Sequence, residues 1–271
     1  MPANTFSLKE LDNFSPCPEH IHHGFMSVPV PNNILVKCQQ HILSYFKTLN
    51  SSLDIINTNT LNDQLTYISG SFSDEVFIKH FIKGMRTFPH NISELLLPWI
   101  ESDIKILLGA KQIALTHVSA LDQHNNSALS PKDYDVYWRC VRPHKKDVAG
   151  AHKDSQFADL NTGSDRAILS PFEFKERWRI WFPLFGCNEE NSLQLVKDSY
   201  KEDIPFSSVE TVNGPRPNIE SSWVQANEHR FECPIESSHY GAIFRDDVVH
   251  RGPENKGPHV RISAEFTLLI R

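Results

Sequence analysis

The sequence lacks long apolar runs and paired cysteine motifs. No stretch approaches the roughly 18 consecutive apolar residues that a membrane helix needs, and the first residues lack the basic and then apolar segments of a secretion signal. The five cysteines are scattered, and no CxxC pair suggests zinc or redox chemistry. We therefore expect a cytoplasmic protein with no membrane partner, whose cysteines are free thiols in a reducing compartment.

Positive charge is also scarce. The 27 lysines and arginines are outnumbered by 33 aspartates and glutamates, which gives a formal net charge of -6. This balance argues against a nucleic-acid-binding surface over the whole molecule. The hydrophobic content of 39% and the charged content of 22% are ordinary for a globular protein. We expect a small-molecule substrate and no nucleic acid, and the sequence leaves the oligomeric state open.

The hydrophobic period changes along the chain. Residues 1–110 are mostly helical by pattern: Asn33 to Leu49 has apolar residues at helical spacing, and Ser73 is placed to cap a helix. Another helix is predicted from Ser93, and Pro98 either delays its start or bends its early part. From Lys111 onward, short runs of β-branched and aromatic residues predict strands instead. The predicted strands are Gln112 to Ser119, Asp135 to Arg142, Arg177 to Leu184, Ser192 to Val196, Tyr240 to Phe244 and Arg261 to Ile270.

Helices followed by many antiparallel strands predict a mainly β protein with N-terminal helices, in which a jelly-roll or barrel carries helices along one sheet. The stretch Ser207 to Ser222 is rich in turn residues and is predicted to be a loop. The sequence has no internal repeat and no low-complexity linker. We therefore expect one domain over residues 1–271, with a helical portion at 1–110 and the β core at 111–271.

Three residues in two segments have the chemistry of a metal site. His152 and Asp154 lie two positions apart, so extended backbone directs both side chains to one face. His250 follows a later predicted strand. Two imidazoles and one carboxylate form the facial triad of non-haem iron(II) oxygenases, which leaves three coordination positions open.

A possible anchor for a co-substrate lies eleven residues past His250. A 2-oxo acid can chelate iron through its keto oxygen and one carboxylate, and its other end then needs a cation. Arg261 begins the terminal strand, and its planar guanidinium can bind a carboxylate through two hydrogen bonds. Ser263 faces the same side and can add a third.

The motifs to compare are His152-Lys-Asp154, His250 and Arg261-Ile-Ser263, together with the terminal run VVHRGPENKGPHVRISAEFTLLI. They resemble the phytanoyl-CoA dioxygenase-like branch of the iron(II)/2-oxoglutarate oxygenases. The resemblance covers about Leu107 to Arg271 and implies a double-stranded β-helix, a cupin-like jelly-roll. It also implies that Fe(II), 2-oxoglutarate and O2 are required. Lys197 to Tyr200 departs from the family's usual Pro-Gly-Ser-His, which puts any role of that histidine in doubt.

The same resemblance suggests further site residues. It points to Trp181, Arg139 and Tyr137 at the co-substrate end of the pocket, with a packed core aromatic as the alternative reading of Trp181. By position near the triad, Gln156 and Phe157 are candidates for substrate contact, and so is Arg142, at the head of the basic cluster 142–146. A solvated loop is the alternative reading of that cluster.

The function predicted from these residues is hydroxylation of an unactivated carbon, coupled to conversion of 2-oxoglutarate to succinate and CO2. By the resemblance, Asp154 favours hydroxylation over halogenation, because halogenating relatives have a small residue in its place. The polar and basic residues around the triad suggest a small polar metabolite or a sugar-containing intermediate. Two alternatives stay open: a cupin-like metal-dependent isomerase or lyase, and a non-catalytic binding protein on the same fold.

Overall fold

The computed structural model describes residues 23–54, 60–82, 86–117, 130, 132–160, 174, 176–211, 214–235 and 237–271. Among the helices in these ranges, none has both the length and the apolar character that crossing a membrane requires. Cys17, His20 and His22 lie outside the described residues.

The first helical prediction is confirmed. Helix α1 runs from Asn32 to Leu49 and buries Leu35, Ile42 and Phe46, which recur at helical spacing on one face. Within the described residues, six α-helices precede the main run of strands: α1, α2 (Leu61–Gly70), α3 (Asp74–Phe77), α4 (His90–Ser93), α5 (Leu96–Trp99) and α6 (Lys105–Leu107). The cap at the start of α3 is confirmed as well, because the Ser73 hydroxyl accepts a hydrogen bond from the backbone N–H of Val76.

The helix predicted from Ser93 is broken into pieces. Pro98 lies within α5 and lacks the N–H that an uninterrupted helix would donate to Glu94. A wide helical turn follows at Ile100–Ile104, before α6. The apolar residues Leu96, Ile100 and Ile104 are nevertheless buried on one side, so the segment still packs as one amphipathic unit.

The larger sheet contains five of the six predicted strands, and β1 is added to them. Its members are β1 (Phe25–Pro29), β2 (Ile113–Leu115), β3 (Val136–Val141), β4 (Glu176–Phe185), β9 (Tyr240–Arg245) and β11 (Arg261–Ile270). Strand β11 pairs with β4 on one side, and on the other with β3 along its first part and β2 along its end. The order continues from β4 through β9 to β1, and all these pairings are antiparallel. Residues 118 and 119, which were predicted to extend β2, lie outside the described residues.

A smaller sheet faces this one. It contains β5 (Gln194–Val196), β8 (Phe231–Glu232) and β10 (His250–Arg251). The hairpin of β6 (Phe206–Thr211) and β7 (Gly214–Ile219) extends the layer, because Ile219 N donates to Ala151 O at 2.8 Å. Ala151 adjoins His152, which pairs with β10. Two facing antiparallel sheets with helices along one of them form the predicted jelly-roll, so the fold class is confirmed.

The two faces of the larger sheet differ in chemistry. On β11, Ile262, Ala264 and Phe266 are buried against the helices, whereas Arg261 and Ser263 face the space between the sheets. Strands β3 and β4 alternate in the same way. The main apolar core therefore lies between the sheet and the helices, and the space between the sheets holds polar and charged groups beside a smaller apolar cluster.

One expectation about the elements was wrong. The described residues between 207 and 222 form most of the β6–β7 hairpin and the start of the helix Ser221–Ala226, and not a loop. The hairpin pairs Phe206 with Ile219 and Thr211 with Gly214. Strand β1 lies in the portion that was expected to be mostly helical, and it completes one edge of the larger sheet.

Candidate metal centre

The backbone brings the two halves of the predicted triad together. His152 N donates to His250 O at 3.1 Å, and His250 N donates to His152 O at 2.9 Å, so the two residues are antiparallel neighbours. Asp154 follows two positions after His152 in the turn that leads to α7 (Gln156–Asp159). All three side chains are buried, and one ligand atom from each lies within 4.8 Å of the others.

The geometry leaves the correct atoms available for an ion. His152 Nδ1 donates to Gly150 O at 2.8 Å, and His250 Nδ1 donates to Val248 O at 3.0 Å. A carbonyl can only accept, so each Nδ1 carries the proton and each Nε2 presents a lone pair. Both Nε2 atoms lie 3.7 Å from the carboxylate of Asp154, one near each oxygen. The donor set therefore fits a ferrous facial triad.

The electrostatics favour the ligand forms of these groups. Burial, aided by the neighbouring His250, lowers the pKa of His152 to about 3, so its imidazole is neutral near neutral pH. Burial acts to raise the pKa of Asp154, but the charge of Arg179, the largest of the opposing influences, helps to hold this pKa below its usual range. A neutral imidazole and an ionised carboxylate are the states that bind metal.

Arg261 and Ser263 line the same cavity as the triad. Arg261 is 5% exposed, and its Nη1 donates to the carbonyl oxygens of Asn191 and Pro253. Its Nε is buried and has no hydrogen-bond partner in the described part of the chain. A buried guanidinium N–H without an acceptor fits a missing carboxylate. The residues present therefore suit the far end of a 2-oxo acid.

Two of the three remaining candidates for co-substrate binding line the cavity, and one does not. Arg139 and Trp181 line the cavity, as alternation along their strands predicts. Arg139 donates from Nη2 to the Glu265 carboxylate at 2.6 Å. Tyr137 is not among the cavity-lining residues and packs under the guanidinium of Arg86, whose central carbon lies 4.9 Å from the ring centre. Trp181 also contacts the small apolar cluster between the sheets, so both readings of this residue remain open.

The three substrate candidates do not line the cavity. Gln156 is buried, and its amide bonds the backbone of Lys153 and Ile204. Phe157 packs edge-on against His152, with ring centres 5.8 Å apart, and so supports a ligand from outside. Position beside the motif in sequence placed both residues close to the triad, but the turn into α7 directs them away from the cavity.

Arg142 has a structural role and not the predicted substrate role. Its guanidinium makes two hydrogen bonds to Asp147, both of 2.9 Å, and lies 3.0 Å from Asp74. It also stacks on Phe77, with its central carbon 3.8 Å from the ring centre. Within the same basic cluster, Lys145 pairs with Asp74. Arg142 and Lys145 therefore connect α3 to the loop after β3 through their ion pairs with Asp74.

Two charged residues inside the cavity were missed. Arg179 on β4 has Nε 2.8 Å from Oδ2 of Asp154, and Glu265 on β11 pairs with Arg139. Alternation offered a signal, because Arg179 is two residues before Trp181 and Glu265 two after Ser263, on the same faces. Burial of a charged residue such as Glu265 in an apolar strand costs free energy unless the charge is paired. A partner of opposite charge in the cavity could therefore have been inferred from the sequence.

Lys197 to Tyr200, the segment that departs from the family's Pro-Gly-Ser-His, contacts the backbone next to His250. The Ser199 hydroxyl donates to Val196 O at 2.7 Å and accepts from Val249 N at 2.8 Å. Asp198 adopts a left-handed conformation with φ of 60° and pairs with His23. Ser199 thus fixes the backbone next to His250, while Tyr200 packs below Arg245.

Comparisons with known proteins support the fold. No model of a known protein family matches the sequence, and no curated protein matches it. Among solved structures, the chain is similar to EctD from S. alaskensis crystallised with 2-oxoglutarate and 5-hydroxyectoine, at 12% identity and a TM-score of 0.50, covering 100% of this chain and 79% of that chain. It is also similar to EvdMO1, at 11% identity and a TM-score of 0.51, covering 93% of this chain and 48% of that chain. At this identity the likeness shows the jelly-roll fold alone.

Proposed function

We propose that the chain is an iron(II)- and 2-oxoglutarate-dependent oxygenase. The observation that carries the proposal is the convergence of His152, Asp154, His250 and Arg261 in one cavity, after sequence order alone had predicted the set. The structure of the similar protein EctD holds 2-oxoglutarate, which supports extending that co-substrate to this chain. The phytanoyl-CoA dioxygenase-like branch and hydroxylation as the outcome are the finer parts of the proposal.

The protein residues would have distinct tasks. The triad would hold Fe(II), which when bound supplies the activation of O2 and the oxidative decarboxylation of 2-oxoglutarate to succinate and CO2. Arg261 and Ser263 would bind the far carboxylate and so orient the keto acid. Gly150 and Val248, through their carbonyls, keep each imidazole in the tautomer that a metal ligand requires. The buried walls exclude bulk water from the reacting groups.

The first experiment tests co-substrate binding and turnover together. We expect anaerobic protein with Fe(II) and 2-oxoglutarate to show a visible charge-transfer band, and O2 to yield succinate. His152→Ala should lose both signals. Arg261→Ala should need at least about tenfold more 2-oxoglutarate, because a charge-assisted hydrogen bond is lost. His229→Ala and Arg230→Ala, at positions outside the cavity, serve as matched controls.

The same experiment distinguishes the alternatives. An isomerase or lyase would bind metal but give no band with 2-oxoglutarate, and it has no need of Arg261 opposite the metal. A non-catalytic protein would show metal content that does not depend on His250. Wild-type succinate formation in both His152→Ala and Arg261→Ala would contradict the proposal.

A further inference from the structure

The cavity that contains the triad offers little room for a substrate. Its volume is about 60 Å³, which accommodates only a few water molecules. The proposed Fe(II) and 2-oxoglutarate would occupy this space. Binding pockets for small molecules usually measure about 300 to 1,000 Å³, so the molecule to be oxidised needs further room beside the triad cavity.

A larger cavity of about 680 Å³ adjoins the triad cavity. Ala149 and Gly252 line both cavities, and neither residue has a side chain large enough to close the space between them. Gly150 and Ala151, the two residues before His152, line the larger cavity as well. Nδ1 of His152 donates to the carbonyl of Gly150 at 2.8 Å. The larger cavity therefore borders the backbone that holds one of the candidate metal ligands.

The charged side chains on the wall of the larger cavity favour a ligand without negative charge. Arg251 is bound to Glu228, since its Nη1 donates to Oε2 of that carboxylate at 2.9 Å. Among the described residues, the other charged groups of the wall are two carboxylates, Glu190 and Glu254, and one cation, Lys256. Because Glu228 neutralises the guanidinium, two carboxylates remain against one ammonium. An anionic ligand would thus meet more repulsion than attraction.

Neutral polar groups make up much of the rest of this wall. They include the side chains of Gln194, Asn218, Ser221 and Gln225. Oε1 of Gln194 accepts from Nε of Arg251 at 2.8 Å, which orients the amide, and no acceptor within the described ranges binds its Nε2. The side chain of Gln225 makes no hydrogen bond to any described residue. Amides both donate and accept, so these groups match the hydroxyl and amide groups of a ligand.

We propose that the larger cavity binds the substrate, and that this substrate is a polar molecule with hydroxyl or amide groups and no negative charge, such as a glycoside. The inference rests on the proposed oxygenase function and names its substrate class. The amides of the wall would hold the body of the substrate, while the part to be oxidised reaches the triad cavity beside Ala149 and Gly252. The basic cluster at 142–146 lines neither cavity, so it does not act against this charge preference.

Calorimetric titration of the loaded protein with sugars tests the proposal. Protein saturated with Fe(II) and 2-oxoglutarate under anaerobic conditions is titrated with cellobiose, N,N′-diacetylchitobiose or cellobionate, at constant ionic strength. All three consist of two linked sugar units, and the second adds amides while the third adds a carboxylate. We expect saturable binding of at least one neutral probe, at least about tenfold tighter than that of cellobionate. Saturation with that probe should also change the charge-transfer band, because the bound molecule reaches the triad cavity.

Variants of the wall locate the binding site. Gln225→Leu removes one amide at an exposed position and should weaken binding of the neutral probe at least about threefold. Gln112→Leu removes an equally exposed amide outside both cavities and should bind as the wild type does. Glu190→Gln combined with Glu254→Gln should strengthen cellobionate binding at least about threefold, because two like charges are removed.

Several results would reject the inference. Tighter binding of cellobionate, no saturable binding of either neutral probe, or wild-type affinity in Gln225→Leu would overturn it. An unchanged cellobionate affinity in the double glutamine variant would overturn the charge preference. Binding that leaves the charge-transfer band unchanged would place the probe away from the triad and would also overturn the substrate role. The band before sugar is added tests the proposed function separately: a normal band without binding of a neutral probe rejects only the inference, and a missing band rejects both.

Discussion

At the scale of single residues, the order of chemical types along the chain was the most informative signal. His152 and Asp154 share a face because they are two positions apart, and His250 is brought to them by a backbone pairing that its later strand made plausible. The sequence could not show that two backbone carbonyls fix the imidazole tautomers. Those contacts depend on local turns whose geometry no residue pattern specifies.

Gly252 is a residue whose small size matters for Arg261. A Cβ added at Gly252 would lie 2.8 Å from Arg261 Nη2, so the guanidinium would have to move. Arg261 is also held by Asn191 and Pro253, which leaves it little room to adjust. Gly252 therefore allows the guanidinium to occupy the position proposed for carboxylate binding.

We expect Gly252→Ala to weaken 2-oxoglutarate binding about tenfold, because the displaced guanidinium loses good geometry with the carboxylate. Fe(II) affinity should stay within about threefold, since no triad residue is among the nearest contacts of the added methyl group. Gly257→Ala is the control, because its added Cβ meets no atom closer than 3.4 Å. Anaerobic titration of the charge-transfer band measures the co-substrate affinity. An unchanged affinity in Gly252→Ala would show that this fit is not needed.

At the scale of elements, an uninterrupted apolar pattern predicted a strand correctly, whereas clustered glycine and proline residues led to a wrong prediction of a loop. Strand β11 was predicted with its full extent, Arg261 to Ile270, because no glycine or proline interrupts these ten residues. The β6–β7 hairpin was read as a loop because Asn213, Gly214, Pro215 and Pro217 interrupt any period. Prolines are tolerated there because the hairpin forms a separate two-stranded ladder at the border of the smaller sheet. Sequence pattern could not distinguish such a hairpin from irregular chain.

Arg142 shows how a cation can be misread when its partners are distant in sequence. It bonds Asp147 five residues away, but it also reaches Asp74 on α3 and stacks on Phe77. A basic cluster next to a metal motif suggested an anion-binding rim. Its contacts instead connect the helical layer to the end of β3, a relation that only the folded chain reveals.

We expect Arg142→Met to lower the free energy of unfolding by about 3 kcal/mol, because the buried Asp147 carboxylate loses its guanidinium partner and keeps the hydrogen bond from the backbone N–H of residue 142. The KM for 2-oxoglutarate should not change, since Arg142 is not a cavity-lining residue. Lys145→Met removes a neighbouring exposed cation and should cost less than about 1 kcal/mol. Urea denaturation of the metal-free proteins gives both values. Unchanged stability of Arg142→Met would contradict the structural role that its contacts indicate.

At the scale of the whole molecule, the net charge conceals an opposite charge inside. The chain carries a formal charge of -6, yet the cavity of the triad gathers Arg139, Arg179 and Arg261 around Asp154 and Glu265. Composition gives only the net balance of charge and contains no information on this segregation. Alternation along the strands, combined with the sheet pairing, is what converts scattered arginines into one polar interior.

A buried carboxyl group, that of Asp246, makes the stability of the folded protein depend on pH. Burial raises the pKa of Asp246 to about 6, despite the nearby Arg177. Between pH 3.8 and 6 this carboxyl holds a proton in the folded state but not in the unfolded chain, so protonation there favours folding. Above pH 6 the proton is lost from both states, and the folded protein bears a poorly solvated charge.

We therefore expect the wild type to lose stability relative to Asp246→Asn as the pH rises from about 4 to 7, by about 2 to 3 kcal/mol, since each pKa unit corresponds to about 1.4 kcal/mol. Urea unfolding of the metal-free proteins at several pH values measures this difference. Titration of all other groups, including His152 with its lowered pKa, largely cancels between the two proteins. Asp203→Asn, at an exposed position, should show little pH-dependent difference from the wild type. A stability difference between wild type and Asp246→Asn that stays constant with pH would show that Asp246 keeps an ordinary pKa in the folded protein.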